Sequence, residues 1–190
     1  MVPSDSAHGE IKGKLMTPAF KFRARLWTIF GATVAMGLVG CTSSTISTKH
    51  PLYQRDATST TATVYFLRPE IERRMGFPDN QVAIDLNQEQ LLTLARGEYT
   101  VVRLVPREAV LTFRSLTEAG PVWAIKAIER QYTFNFKPGE TYYLVVKPVD
   151  GEFRGVFFKP ESVDAYVAKR AADSLHAAGV PADAKLSAEK

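Results

Sequence analysis

The chain has 190 residues, with 24 Lys plus Arg against 20 Asp plus Glu, one Cys, three His, 45% apolar and 11% aromatic content. That composition excludes collagenous, low-complexity and disordered classes for the chain as a whole, and the length suits one domain with appendages. A single thiol excludes an internal disulfide, and no Cys/His cluster exists to hold zinc. Taken in chain order, Lys21-Phe22-Arg23-Ala24-Arg25 precede an uncharged run of 15 residues, 26–40. A membrane-crossing helix needs about 20 apolar residues, so this run has the length of the h-region of a secretory signal. Counted from Met1 the signal is 40 residues long, and counted from Met16 it is 25, the usual size; Met16 is the better start. No Arg-Arg pair precedes the run, which favours general secretion over the twin-arginine route.

The run ends in Leu38-Val39-Gly40-Cys41, which resembles the bacterial lipobox: an aliphatic residue, then small residues, then an obligatory Cys. The resemblance implies cleavage between Gly40 and Cys41, a thioether-linked diacylglycerol on the Cys41 sulfur, and N-acylation of the new amine by a fatty acid such as palmitate. Two or three acyl chains hold a protein stably, at about 0.8 kcal/mol per buried CH₂, where one chain holds it only reversibly. In the sorting rule of Gram-negative lipoproteins an Asp after the Cys retains the protein in the inner membrane. Thr42 stands there instead, so the expected address is the outer membrane, facing the periplasm.

Nine of the 19 residues of 42–60 are Ser or Thr, and with the lipidated Cys the segment 41–60 reads as a tether able to stand the body some tens of Å off the bilayer. The body, 61–160, shows short β-rich runs: 61–68, 81–86, 90–95, 99–105, 108–116, 122–128, 131–136, 141–148 and 152–159. Several alternate cleanly, as Ala62, Val64 and Phe66 do against Thr63, Tyr65 and Leu67. Lys137-Pro138-Gly139-Glu140 has the chemistry of a type II turn, while Arg96-Gly97 and Asp150-Gly151 mark hairpins. Strands at this spacing without helices between them predict a mainly β, antiparallel β-sandwich, immunoglobulin-like or transthyretin-like. Val163, Tyr166, Val167, Ala171, Leu175 and Ala178 then recur at helical spacing, predicting one amphipathic helix over 161–178 that covers an open edge or end of the sheet. Residues 179–190 are expected to form a flexible tail.

His8, His50 and His176 fall in leader, tether and helix end, so the body offers no imidazole to a nucleophilic device or a catalytic zinc. The sequence therefore points to no catalytic residue, no cofactor-binding residue and no metal ligand. Carboxylates Glu70, Glu72, Asp79 and Asp85 cluster around the longest loop, 69–80, with Arg73 and Arg74. They leave one enzymatic alternative, a small carboxylate-dependent hydrolase acting on envelope polymers, and the loop is the first candidate contact surface. Residues 41–190 hold 19 basic and 18 acidic side chains, no footprint for nucleic acid. The aromatics on strand candidates read as core or cross-strand pairs.

Four ordered motifs carry a further resemblance over about residues 61–160. They are Thr63-Val64-Tyr65-Phe66-Leu67-Arg68-Pro69, Val82-Ala83-Ile84-Asp85, Leu94-Ala95-Arg96-Gly97-Glu98-Tyr99 and Gly139-Glu140-Thr141-Tyr142-Tyr143-Leu144. In these the body resembles an uncharacterised domain family of small bacterial lipoproteins. It departs from that family at Pro106-Arg107-Glu108-Ala109, where the family has Pro-Gly before a His. The resemblance implies location and fold and brings no activity. The expected function is a non-enzymatic binding or structural module of the cell envelope. It would hold membrane lipid through acylated Cys41 and meet a protein or cell-wall partner, or serve as an accessory subunit of an envelope or secretion machine.

Overall fold

Alternating side chains over 61–160 fold into two sheets. The computed structural model describes residues 43–70, 81–120, 124–151 and 154–186, all within one unit, Gly40–Lys190. Its strands are β1 (Thr45–Ile46), β2 (Tyr53–Gln54), β3 (Ala62–Arg68), β4 (Gln81–Leu86), β5 (Glu89–Ala95), β6 (Glu98–Leu104), β7 (Glu108–Ala119), β8 (Ala124–Asn135), β9 (Thr141–Asp150), β10 (Val156–Val163) and β11 (His176–Ala177), with one helix, α1 (Ala165–Ala172). The first sheet runs β1-β5-β4-β7-β8; the second runs β10-β9-β3-β6-β11, with β2 also on β6. The protein is a β-sandwich. Most pairs are antiparallel, while β3 with β9 and β11 with β6 run parallel.

Between the sheets lies a core of Val64, Phe66, Ile84, Leu92, Leu104, Leu111, Phe113, Leu144 and their neighbours, each within a few per cent of complete burial. These are the inward members of the alternation. The turns follow the sequence: Gly139 takes φ 71° and Gly97 φ 72°, conformations that a side chain resists. The β4–β5 hairpin instead uses Asn87 and Gln88, both at positive φ, a turn that no Gly announces.

Four expectations change. The runs 122–128 and 131–136 are one strand within the described residues, β8, because Glu129 and Arg130 do not break it. Glu129 lies across from Arg114 and Arg130 across from Phe113, and the Arg130 guanidinium sits 4.7 Å over the Phe157 ring. The helix is shorter than 161–178. Residues 161–163 continue β10 in register with β9 as far as Val163↔Tyr143, and Asp164 then caps α1 by accepting from the Val167 amide at 2.8 Å. Pro160 is tolerated in β10 because that strand is the sheet edge.

The helix covers a face and not an edge. Ala168 and Ala172 pack on Tyr65, Leu67, Val101 and Val145 of the second sheet's outer side, while Tyr166 and Val167 of the expected stripe face solvent. The tail is packed as far as it is described: Ala184 is buried, Asp183 pairs with Arg103 at 2.9 Å, and the Leu186 amide donates to the Tyr99 hydroxyl at 3.2 Å. Val180, Ala184 and Leu186 supply the apolar contact that fixes it.

Candidate anchoring segment and exposed outer face

Cys41, the Gly40–Cys41 cleavage point and Thr42 lie outside the described residues. The chain directly after them is fixed. Ser43 accepts at its carbonyl from Gln81 Nε2 at 3.2 Å, and its hydroxyl reaches Glu98 Oε1 at 3.4 Å. The Ser44 amide donates to Glu98 Oε2 at 2.7 Å, and the Ser44 hydroxyl accepts from the Ala95 amide at 2.9 Å. Thr45 and Thr93 share a hydroxyl hydrogen bond at 2.7 Å in the β1–β5 pair. Beyond β1, His50 is buried, with Nε2 3.1 Å from the Leu86 carbonyl and Nδ1 accepting from the Leu52 amide at 3.1 Å. Tyr53 and Gln54 then pair with Leu104 and Arg103.

Residues 43–54 therefore form a strap that closes the β5 edge of one sheet and part of the β6 edge of the other. The expected tether is part of the fold. Its Ser and Thr hydroxyls are hydrogen-bonding groups of an edge strand, and backbone pairing needs little apolar side chain.

The two outer faces differ. Helix α1 and the C-terminal segment cover the second sheet, while the outer face of the first carries a depression of about 330 Å³ lined by Gln81, Ala83, Thr93, Arg114, Leu116 and Glu129 among others. Leu116 and Ile125 are 51% and 59% exposed on β7 and β8. Arg114 Nη2 donates to Asp85 Oδ1 at 2.8 Å, and Nε lies 2.7 Å from Oδ2, off the line a hydrogen bond requires. Hydrogen bonding to Asp85 holds the Arg114 guanidinium above its usual range, against the opposing effect of partial burial. The surface can offer a fixed planar cation beside small and apolar side chains, which is contact chemistry.

The candidate carboxylates do not come together among the described residues. Both Asp85 oxygens are committed to Arg114, and Glu70 is exposed on its own segment. Glu72, Arg73, Arg74 and Asp79 lie outside the described residues, as does most of the loop 69–80. His50 serves the strap, and His176 sits exposed on β11. Ser115 points inward, toward the Val156 carbonyl. Among the described residues no group of three or more His, Cys, Asp or Glu could hold a metal ion, and no helix is long and apolar enough to cross a membrane.

The ordered motifs occupy structural positions. Arg68 is 1% exposed, donates to the Leu94 carbonyl at 2.9 Å and lies 4.7 Å over the Phe158 ring. Tyr65 and Tyr143 stack at 5.1 Å across β3 and β9, and burial, then the neighbouring Tyr143, raise the Tyr65 hydroxyl above the ordinary phenol range. The Tyr142 hydroxyl donates to Glu140 Oε2 at 2.7 Å and accepts from the Lys137 amide at 2.9 Å, closing the Pro138-Gly139 turn; burial and the Glu140 bond both raise it. Buried Arg68 and the paired Asp85 had no signal of their own in composition or periodicity.

No protein-family model, curated protein or solved structure matches this chain.

Proposed function

We propose that the chain is a lipid-anchored lipoprotein of the bacterial cell envelope, most fitted by Thr42 to the periplasmic side of the outer membrane, whose β-sandwich is a non-enzymatic binding or structural module. The observation that carries this reading is Cys41, the single thiol of the chain, at the one position where Leu38-Val39-Gly40 and the preceding apolar run require it. The excess of positive charge belongs to the leader, where it stays on the cytoplasmic side during export. Membership of the uncharacterised lipoprotein domain family rests on the four ordered motifs. Among the described residues no helix packs on the outer face of the first sheet, and that face, with Arg114, Leu116 and Ile125, is the surface offered to a protein or cell-wall partner.

Replacing Cys41 with Ser and following the protein through membrane fractionation tests the anchor. The wild-type chain is expected in the membrane fraction with acyl mass on Cys41, and the Cys41→Ser chain loses all of that mass and the mature, cleaved form. A wild-type chain that sits in the membrane without acyl mass overturns the reading.

A further inference from the structure

Every open sheet has edges, and this fold closes most of its own. Strand β1 lies on β5, while β2 and β11 divide the edge of β6 between them. Strand β10, at the far edge of the second sheet, carries Pro160, which has no N–H to offer, between Lys159 and Glu161. Strand β8 is treated differently. It ends the first sheet with 12 residues, Ala124–Asn135, pairs with β7 in unbroken register and has no strand on its other side among the described residues. It holds no Pro, Gly or bulge, and of the devices that blunt an edge only charge is present. Lys126 lies near one end, and the Arg130 guanidinium is already laid 4.7 Å over the Phe157 ring.

From the row Ala83–Arg114–Glu129 to the row Leu86–Leu111–Tyr132 the sheet is continuous. Gln81 and Ala124, the described residues that follow 71–80 and 121–123, lie beyond the first of these rows. Val156, which follows 152–153 closely, donates to the Thr117 hydroxyl on that same side. Residues 129–135 run the other way, toward the Asn87-Gln88 turn.

We propose that β8 pairs edge to edge with β8 of a second copy of this chain, antiparallel about a two-fold axis perpendicular to the sheet at Gln131. The reason is register. Such an axis sets one residue opposite its own copy, so each choice of centre fixes every other pair. A centre at Glu129 opposes two carboxylates, one at Arg130 opposes two guanidiniums, and one at Ile128 sets Lys126 against Arg130. Centring on Gln131 gives the longest register that opposes no like charges, over 127–135 of both copies. It sets Gln131 amide to amide, Arg130 against Tyr132, Ile128 against Phe134 and Glu129 against Thr133. Ile128, Arg130, Tyr132 and Phe134 are half-buried members of β8, so the pairing covers flanks that the single copy leaves open. Two five-stranded sheets become one continuous sheet. This interface goes beyond the lipid-anchor reading and does not depend on acylation of Cys41.

Sedimentation equilibrium of the full chain tests it, in a density-matched detergent so that buoyant mass reports protein copies alone, and with a reductant that excludes a Cys41 disulfide. The wild-type chain is expected as a concentration-dependent dimer. Gln131 is exposed, so a substitution there spares the core. Gln131→Glu sets two carboxylates face to face beside Glu129 of both copies and weakens the dimer about tenfold. Gln131→Lys, flanked by those same Glu129 carboxylates, keeps it. A wild-type chain that is monomeric at every concentration overturns the pairing. So does a dimer that Gln131→Glu leaves unchanged, or one that Gln131→Lys weakens as much as Gln131→Glu does. Acyl chains play no part in this readout, so its failure leaves the anchor standing, and an unacylated Cys41 leaves the pairing standing.

Discussion

Phe66→Ala lowers the free energy of unfolding by about 3–5 kcal/mol, the usual cost of removing a ring from a closed core. Phe66 is completely buried near the middle of β3, the strand that lies between β6 and β9, and its ring enters the interior that also holds Ile84, Leu92, Phe113 and Leu144. Neighbouring strands in two hydrogen-bonded sheets cannot close on the cavity without breaking register, so most of the cost remains. Urea denaturation of the two proteins side by side measures it. Tyr166→Ala is the matched control: that ring is 69% exposed on the solvent side of α1, and its loss changes stability by no more than about 0.5 kcal/mol. A Phe66 variant as stable as this control would mean that the two sheets do not share a core.

His50→Ala costs about 2–3 kcal/mol, and its effect is local in a way that Phe66 is not. The imidazole has a carbonyl on Nε2 and an amide donor on Nδ1, so the two partners assign its proton to Nε2. It is 4% exposed, and truncation takes the imidazole away from the Leu86 carbonyl and the Leu52 amide in a space closed to water. The strap should then open as a unit. Amide exchange at Ser47, which donates to the Leu91 carbonyl at 2.8 Å, and at Tyr53, which donates to the His50 carbonyl at 3.0 Å, is expected to accelerate at least tenfold relative to β3 amides. Exchange at those two amides that stays as slow as in the wild-type chain would mean that His50 does not hold the strap, and exchange already as fast as in an unfolded chain before the substitution would mean that residues 43–54 are a free tether.

The strap shows what was legible in the sequence and what was not. Strands with one buried face announced themselves by alternation, as Ala62, Val64 and Phe66 do, and turns announced themselves where Gly97 or Gly139 was needed at positive φ. An edge strand is different, because it pairs through the backbone. The apolar contribution of 43–54 is little more than Ile46, Leu52 and Tyr53, too sparse to stand out among Ser and Thr, so a composition that reads as disorder folds onto two sheet edges. The helix boundary failed for a related reason: apolar residues at helical spacing from Val163 onward did not reveal that β9 still had free backbone to pair through Val163.

The candidate site divides along the same line. The proposed lipidation of Cys41 rests on a short contiguous motif that lies outside the described residues, so it is argued from the sequence alone. The outer face of the first sheet was not legible there, because Gln81, Ala83, Thr93, Arg114 and Glu129 come from four strands and meet only through register. Asp85 illustrates the difference in both directions. As a carboxylate beside a polar loop it suggested acid–base chemistry, and three-dimensional pairing with Arg114 turns it into the partner of a half-buried guanidinium.

A module anchored through acylated Cys41 is the proposal at the centre of this account, and the mass of the mature N-terminal peptide tests it most directly. Protein extracted from membranes and digested should yield a peptide that begins at Cys41 and carries a diacylglyceryl thioether and an amide-linked acyl chain. A peptide that runs uncut through Gly40 and Cys41 with a free thiol would contradict it.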